Sequence, residues 1–458
     1  MMRNTLRGAE LTARFLPSGA FLWFLGIGGV GMSSLARIAV LHGFSVAGED
    51  RREDAAAALS DSGIAVYQEG AVLPAGVSAV IYTAAASPDH PTVQEATRRS
   101  VPLISRSDFL AYLMRGFPIR MTVAGSHGKT TVTSMIDRIL SRAGYAPMTV
   151  SGGTLTDGAT YRLGKGGVFI SEACEYTDSF LSLSPTHALL LNLELDHTDY
   201  FPDYSALSRS ASAYLSRAGT AIVPPSLRSL TGAGEVLTFS ENGEAADLSV
   251  RSIRESPAGV SAKLFYRGER SGTLILPTPG RHNLKNALAA ILAANAVGVP
   301  VPAAAEALAD FTLPDRRLTL RGKWRGALWY DDYAHHPSEI VASLSALRPT
   351  CIGRLTVAFQ SHTYSRTKAD LSGFASALRG ADTVFILPIF PARETDTLGV
   401  TNETLARAVG QKARALPDFE AAAREMIKIA RPGDVMVVMG AGDVNKIFDY
   451  LGSSDGDA

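Results

Sequence analysis

Residues Val123 to Thr131 read V-A-G-S-H-G-K-T-T, a glycine-rich turn that closes on a lysine and two threonines. Residue types in that order suit the phosphates of ATP. Gly125, Ser126, His127 and Gly128 are expected to bring backbone N–H groups against phosphate oxygens. Lys129 would neutralise the outer phosphates, and Thr130, followed by Thr131, would offer a hydroxyl to Mg²⁺. The common phosphate loop, G-x-x-x-x-G-K, is longer, because only Ser126 and His127 separate Gly125 from Gly128 here. A plain structural turn can also contain Gly-Lys-Thr. The flanks argue for a ligand: M-T-V-A before the loop reads as a strand, and V-T-S-M-I-D-R-I-L after it as an amphipathic helix.

A second glycine turn lies near the start. Gly26, Gly28, Gly29, Val30 and Gly31 belong to G-I-G-G-V-G, which follows F-L-W-F-L and opens a helical pattern. Asp50 closes the next strand about twenty residues on, the spacing that sets a pyrophosphate on a helix N-terminus and an acid on a ribose hydroxyl. NAD and UDP carry the same pyrophosphate, so the motif does not choose between them. A tight turn without ligand would use the same glycines.

Two acidic clusters follow strands in the middle of the chain. Glu172 and Glu175 sit in S-E-A-C-E-Y-T-D-S-F, and Glu194, Asp196, His197 and Asp199 in N-L-E-L-D-H-T-D-Y-F. Mg²⁺ beside ATP takes one or two protein oxygens besides phosphates and water, so Glu172 and His197 are candidates to join Thr130. A histidine on Mg²⁺ is unusual and suggests a second metal or a water-mediated contact. His282, Asn283 and Asn286 open an Ala-rich helix, with 283 and 286 on one face. Asn amides there can read an adenine edge or cap the helix.

Histidines concentrate further on, in D-D-Y-A-H-H-P-S-E (331–339) and F-Q-S-H-T-Y-S-R-T (359–367). Each run follows an apolar strand, so each sits at the carboxyl end where open α/β sheets bind ligands. His335, His362 and Arg366 there suit an anionic phosphate- or carboxylate-bearing substrate. Asp332 would orient a histidine or lie near ATP. A metal site made of His335 and His336 is less attractive, because adjacent residues rarely point the same way.

Composition narrows the class of protein. The chain has 458 residues, with Lys+Arg and Asp+Glu equal at 44 each, so no global field favours nucleic acid or an anionic membrane. The apolar run Phe21 to Met32 is too short to span a bilayer and lacks a signal-peptide cleavage pattern. Cys174 and Cys351 exclude a disulfide framework and fit a reducing cytoplasm. A cytoplasmic enzyme is expected. Three segments alternate apolar strand-like runs with helical patterns, which implies parallel sheets in α/β domains. They run from about Gly19 to Gly116, from Phe117 to about Leu313, and from Pro314 onward. The segment Thr231 to Arg270 reads as peripheral strands and loops, L-P-D-R-R-L-T-L (313–320) as short strands forming a hinge, and the tail 452–458 as disordered.

Taken in order, G-S-H-G-K-T-T, E-A-C-E-Y-T-D-S-F, N-L-E-L-D-H-T-D-Y-F, H-N-L-K-N-A-L-A-A, D-D-Y-A-H-H-P and F-Q-S-H-T-Y-S-R-T resemble the Mur ligase family, from Gly26 to the G-A-G-D at Gly440 to Asp443. The resemblance is strongest to the members that join L-alanine to UDP-N-acetylmuramate. It implies an α/β protein of three domains: a Rossmann-like UDP-sugar domain (1–116), a central P-loop ATPase-type domain (117–313) and a mobile C-terminal Rossmann-like domain (314–458). It further implies ATP and Mg²⁺ as cofactors, with UDP-N-acetylmuramate and L-alanine as substrates joined in peptidoglycan synthesis by a monomer or weak homodimer. No nucleic acid or membrane partner is implied.

Residue by residue, Lys129 matches the ATP-phosphate lysine, and Thr130, Glu172 and His197 match metal positions. His282, Asn283 and Asn286 match the adenine region. Tyr333, His335, His362 and Arg366 match positions facing the nucleotide-sugar or the reacting groups. The family's E-A-D-E-S-D is E-A-C-E-Y-T-D here, so either Glu172 or Glu175 is the main metal ligand. Its G-S-D is G-E-D, which puts Glu49 near the expected uridine site, while Ser361 replaces a proline and Ala334 a glycine. A sibling ligase that adds a preformed peptide shares these motifs. An NAD-dependent oxidoreductase would leave the ATP loop without purpose, and a nucleotide sensor would leave the histidines without one.

Overall fold

The computed structural model describes residues 5–6, 16–52, 54–83, 86–392, 394–395 and 398–452. Of the tail 452–458 expected to be disordered, Gly452 is described and its carbonyl accepts from Trp324 Nε1 at 3.0 Å, and residues 453–458 lie outside that set. The chain forms two compact units, Met1–Leu193 with Ser208–Leu237, and Glu194–Leu207 with Thr238–Ala458.

The first unit contains two sheets. In the N-terminal one the strands lie in the order Thr5–Leu6, Leu103–Ser105, Ala79–Tyr82, Phe21–Leu25, Ser45–Asp50, Ala65–Gln68, all parallel. After the edge strand Thr5–Leu6, the winding starts in the middle, on F-L-W-F-L, and runs out to the far edge before crossing back toward the first. Parallel strands are covered on both faces, so they read as continuous apolar runs; Leu22, Trp23 and Phe24 are fully buried. Strand order reverses beside Phe21–Leu25, which puts the glycine turn Gly26–Gly31 at the switch point where such sheets take ligands.

The second sheet of this unit is centred on Ile119–Ala124, which pairs in parallel with Val168–Glu172 on one side and His187–Leu190 on the other. Met148–Val150 and Thr220–Val223 extend it, and Tyr161–Arg162 adds an antiparallel edge. The helix Lys129–Arg142 buries Val132, Met135, Ile136, Ile139 and Leu140. That is the i, i+3, i+4, i+7 stripe of an amphipathic helix. Each such side chain contributes roughly 1.5–3 kcal/mol on burial, which anchors the start of the helix below the phosphate loop.

The second unit carries an antiparallel ribbon, Leu248–Ser256, Gly259–Tyr266 and Glu269–Leu276. The polar stretch expected as strands and loops is thus mostly strand. The Ala-rich helix Arg281–Ala296 follows, with Leu284, Ala287, Leu288 and Ile291 at zero exposure. The third sheet runs Thr319–Trp324, Ala327–Asp332, Val435–Met439, Leu355–His362, Thr383–Phe390, Ala413–Ala415, parallel except for its first strand. Residues 313–318 are turn rather than the short strands expected there. Arg316 at φ 57° and Leu318 at φ 47° take left-handed backbone that no pleated strand accommodates. Arg316 is also tied to the sheet through Gly440 O at 2.6 Å and Gly442 O at 2.9 Å. Among the described residues no helix is long and apolar enough to cross a membrane.

Candidate active site

The phosphate loop leaves the middle of its sheet. Gly125 at φ 139° and Gly128 at φ 86° make the turn, and a Cβ on Gly125 would come within 3.1 Å of Leu191 Cβ. The Asn192 side chain braces it, accepting the His127 N–H at 2.9 Å and donating to His127 O at 3.0 Å. Gly128 offers no side-chain cap to the helix that starts at Lys129. That end, with its first-turn N–H groups, is the kind that takes an anion.

Lys129 Nζ donates to Gly125 O at 2.5 Å and lies 3.3 Å from each oxygen of Glu175. Burial opposes its charge, but Glu175, supported by Cys174 and Glu172, outweighs burial and raises its pKa. The lysine is thus a cation already facing the loop. Glu172 sits differently. Its Oε1 accepts from Ser151 Oγ at 3.1 Å and Gly152 N at 2.6 Å, while its Oε2 has no hydrogen bond among the described residues. A Cβ on Gly152 would lie 2.9 Å from that Oε2, and one on Gly153 would lie 2.9 Å from Thr130 Cγ2. Glycines at 152 and 153 therefore let the chain pass between Thr130 and Glu172.

At the N-terminal turn, Gly26 N and Ile27 N donate to Glu49 O at 2.9 and 3.1 Å. Asp50 Oδ2 accepts the Gly28 N–H at 2.7 Å, and its Oδ1 accepts the Arg52 N–H at 2.9 Å. The acid expected on a ribose thus holds the turn itself. Gly28 is required there, since a Cβ would come within 2.7 Å of Ala55 Cβ and 2.9 Å of Asp50 Cγ. Glu49 is fully buried and spends its carboxylate internally, on Gly70 N at 2.8 Å, Ala71 N at 3.1 Å, Trp23 Nε1 at 3.5 Å and the Thr92 hydroxyl. It presents no charge to a ligand. Gly29 and Val30 lead into the helix Val30–Leu41, and Arg106 Nη1 lies 3.3 Å from where a Gly31 Cβ would stand. Sequence reasoning missed Arg106; its one signal was a basic residue directly after the strand Leu103–Ser105.

In the second unit the strands Ala327–Asp332 and Leu355–His362 both pair with Val435–Met439, so their carboxyl ends share one edge of the sheet. Tyr333, His335, His362 and Arg366 meet there. The His335 ring centroid lies 5.6 Å from that of Tyr333 and 6.0 Å from that of His362. Arg366 grips Asp196 with two bonds of 3.1 Å and donates to His362 Nδ1 at 3.1 Å. His197, in left-handed backbone at φ 54°, donates its N–H to Asp196 Oδ1 at 2.7 Å. Burial would raise the Asp196 pKa, but Arg366 and then His197 hold it well below the usual carboxylate range. Asp332 is 2% exposed, and burial pushes its pKa up to about 6 against Ser343 and Arg317. Thr130 and Glu172 belong to the first unit and His197 to the second.

Asn283 and Asn286 are both buried, and Asn283 Nδ2 donates to Pro279 O at 2.8 Å, tying the Ala-rich helix to the turn before it. The His282 ring rests on Gly280, where a Cβ would come within 2.7 Å of it. Burial, with Arg317, lowers the His282 pKa to about 4, and burial lowers those of His335 to about 4 and His362 to about 3. Rings kept neutral in the folded state bind fewer protons than the unfolded chain between pH 6.5 and about 4. Stability therefore rises with pH across that window, by at most about 1.4 kcal/mol per pH unit for each ring. The slope is less for His335, whose side chain is 21% exposed. Urea midpoints measured from pH 7 to 5 should fall steadily, and less in His282→Gln. Equal slopes for the variant and the native chain would mean that His282 is not held neutral.

Known proteins match this architecture along its length. Residues 22–118 match the Mur ligase family catalytic-domain model, 123–294 the Mur ligase middle domain, and 316–442 the Mur ligase glutamate ligase domain. A UDP-N-acetylmuramate–L-alanine ligase of Lachnospira eligens is 36% identical over 447 residues, 93% of this chain and 97% of that one. One from Mycolicibacterium smegmatis is 38% identical, covering 92% of each. The crystal structure of UDP-N-acetylmuramate–alanine ligase from Thermotoga maritima superposes with a TM-score of 0.79 at 24% identity, over 94% of this chain and 97% of its own, which speaks for the fold. A mid-sheet phosphate loop, a glycine turn at a switch point and a histidine–arginine edge thus occur in three successive α/β domains that match throughout: the chain belongs to the Mur ligase family.

Proposed function

We propose that the protein is an ATP-dependent amide ligase that joins L-alanine to the lactyl carboxylate of UDP-N-acetylmuramate, a step of peptidoglycan synthesis. The observation that carries this reading is the charged Lys129 held inside a glycine loop at a helix N-terminus, in a chain more than one-third identical to ligases of that name. In such a reaction the γ-phosphoryl of ATP passes to the carboxylate, giving ADP and an acyl phosphate. The amine then forms the C–N bond and phosphate leaves. Little covalent chemistry falls to the protein, whose task is to gather and position charge.

Gly125 to Thr131 would cradle the triphosphate, with Lys129 against its outer phosphates. Gly26 to Gly31, with Arg106 beside Gly31, would take the diphosphate of the sugar nucleotide, and His282, Asn283, Asn286 and Asp332 would serve the ATP side. Tyr333, His335, His362 and Arg366 would hold the reacting groups. Mg²⁺, when bound, would neutralise phosphate charge. Thr130 and Glu172 fit it, being a hydroxyl and a carboxylate with one uncommitted oxygen. Glu175 is committed to Lys129 and fits less well. His197 is assigned here as a further metal contact on the family pattern alone. We place the domain boundaries at 1–116, 117–313 and 314–458. We also propose a cytoplasmic monomer or weak homodimer, a location consistent with free Cys174 and Cys351.

Phosphate release with ATP, Mg²⁺, UDP-N-acetylmuramate and single amino acids, each omitted in turn, tests the reading. Release should require all four, and L-alanine should serve where a preformed peptide does not. ATP consumption that needs only a peptide would replace the assignment with the sibling activity. Glu172→Gln should raise the Mg²⁺ concentration needed for half-maximal rate by roughly tenfold, as lost metal contacts do. An unchanged Mg²⁺ titration would move the metal to Glu175.

A further inference from the structure

Glu339 has no part in the roles above, yet it stands against the ring of His335. It lies in the first turn of the helix Pro337–Leu347 with its side chain 9% exposed. Its Oε2 accepts the His335 backbone N–H at 3.0 Å and sits 3.2 Å from His335 Nδ1. Tyr333 O lies 3.0 Å from the same Nδ1. Glu339 Oε1 faces Arg317 Nη1 at 3.5 Å, and Arg317 lies over the Tyr333 ring at 5.2 Å. An acid in a first helical turn often serves only as a cap, for which the backbone contact would be enough. The ring contact goes further.

A carbonyl and a carboxylate both accept and neither donates, so the nitrogen between them must carry a proton. His335 is therefore Nδ1–H. Burial keeps the ring neutral, with its pKa down at about 4, so Nε2 is a lone pair, and it has no hydrogen bond among the described residues. The neighbouring ring is set the other way. Arg366 cannot accept, so His362 Nδ1, 3.1 Å from Arg366 Nη1, is the acceptor and the neutral ring carries its proton on Nε2. This revises the expectation that both histidines suit an anion. A lone pair repels carboxylate and phosphate oxygens, and of the groups in an amide-forming reaction it matches the N–H of the amine.

We propose that His335 and His362 are held as opposite tautomers, by Glu339 and Arg366 respectively, so that His335 Nε2 accepts from the incoming amino group while His362 Nε2–H donates to an anionic oxygen. Glu339 is the positioning residue of the pair. The assignment of the amine rests on the ligase reading; the tautomers rest on the hydrogen-bond geometry of the two rings and on burial keeping both neutral.

Long-range ¹⁵N–¹H spectra of the full-length protein labelled at histidine give the direct test, with His335→Gln and His362→Gln used to assign the two rings. His335 should be protonated at Nδ1 only and His362 at Nε2 only. Glu339→Ala should mix the His335 tautomers and lower kcat by roughly tenfold or more with the KM for ATP unchanged, a modest share of what hydrogen-bond positioning supplies. Glu339→Gln retains an oxygen acceptor and should keep the tautomer and most of the rate, which a lost cap or a misfolded chain would not explain. Protonation of His335 on Nε2 in active enzyme, or a Glu339→Ala variant with tautomer and kcat both unchanged, overturns the inference. An inactive native enzyme overturns the ligase reading instead, and with it the amine as the partner of Nε2.

Discussion

Lys129→Ala is expected to lower kcat by roughly 10²- to 10³-fold, the usual cost of removing one group that meets charge developing in a transition state. Lys129 is already engaged without substrate. Its Nζ is wrapped by Gly125 O at 2.5 Å and Ser126 O at 3.4 Å and paired with both oxygens of Glu175 at 3.3 Å. Glu175 keeps it protonated despite burial, so the cation is in place before any phosphate arrives. Phosphates entering the loop would compete for Nζ with two carbonyls and one carboxylate. Glu175→Gln should therefore leave Lys129 less firmly held and easier to deprotonate, with a smaller loss of rate than Lys129→Ala. Phosphate release at saturating ATP and UDP-N-acetylmuramate measures both. A near-normal rate for Lys129→Ala would remove the lysine from the phosphoryl group. A larger loss for Glu175→Gln would make the carboxylate the working group.

The loop was legible because everything that defines it is contiguous. A strand, two glycines with positive φ, a lysine and an amphipathic helix follow one another within one stretch of chain, and local sterics decide each. Parallel strands were legible for a related reason: burial on both faces leaves runs such as V-M-V-V-M that fit little else. What sequence spacing cannot show is which distant side chain closes on a motif. Asn192 bracing His127, Arg106 beside Gly31 and Arg317 reaching Glu339 are all pairings through space.

Asp50 illustrates the limit from the other side. Its position at a strand end is as expected, but a carboxylate 2.7 Å from Gly28 N serves the turn, and spacing alone reads the same for either use. Of residues 313–320, expected as short strands, Thr319 and Leu320 do begin a strand, while the turn before them depends on positive φ at two non-glycine residues, Arg316 and Leu318, which no local pattern announces. The histidines were found by clustering. Their opposite protonation depends on which atoms face them, and that exists only in three dimensions.

Arg366→Ala should separate support from chemistry at that edge. Asp196 and Arg366 are each 14% exposed and joined by two bonds, so losing the guanidinium strands a mostly buried carboxylate. The second unit should lose about 2–3 kcal/mol at pH 7, below the cost of breaking a fully buried pair. The sign of the pH dependence follows from the lowered Asp196 pKa. A carboxylate whose pKa is lower folded than unfolded contributes stability that is full above the unfolded value and is lost as pH falls toward the folded one. The gap between variant and native chain should therefore be widest near neutrality and shrink as pH drops through the carboxylate range. Asp196→Asn added to Arg366→Ala removes the stranded charge and should recover most of the stability. It should not recover activity, because the guanidinium that holds His362 Nδ1 and adds positive charge at the site is still missing. Urea midpoints at pH 7 and 4.5 with kcat/KM for L-alanine report the two effects separately. A double variant that regained both would make Arg366 a partner of Asp196 and nothing more, whereas stability restored with kcat/KM still depressed by roughly a hundredfold, as for a lost charge-assisted hydrogen bond, would give the arginine a second role at the site, through His362 or on the substrate.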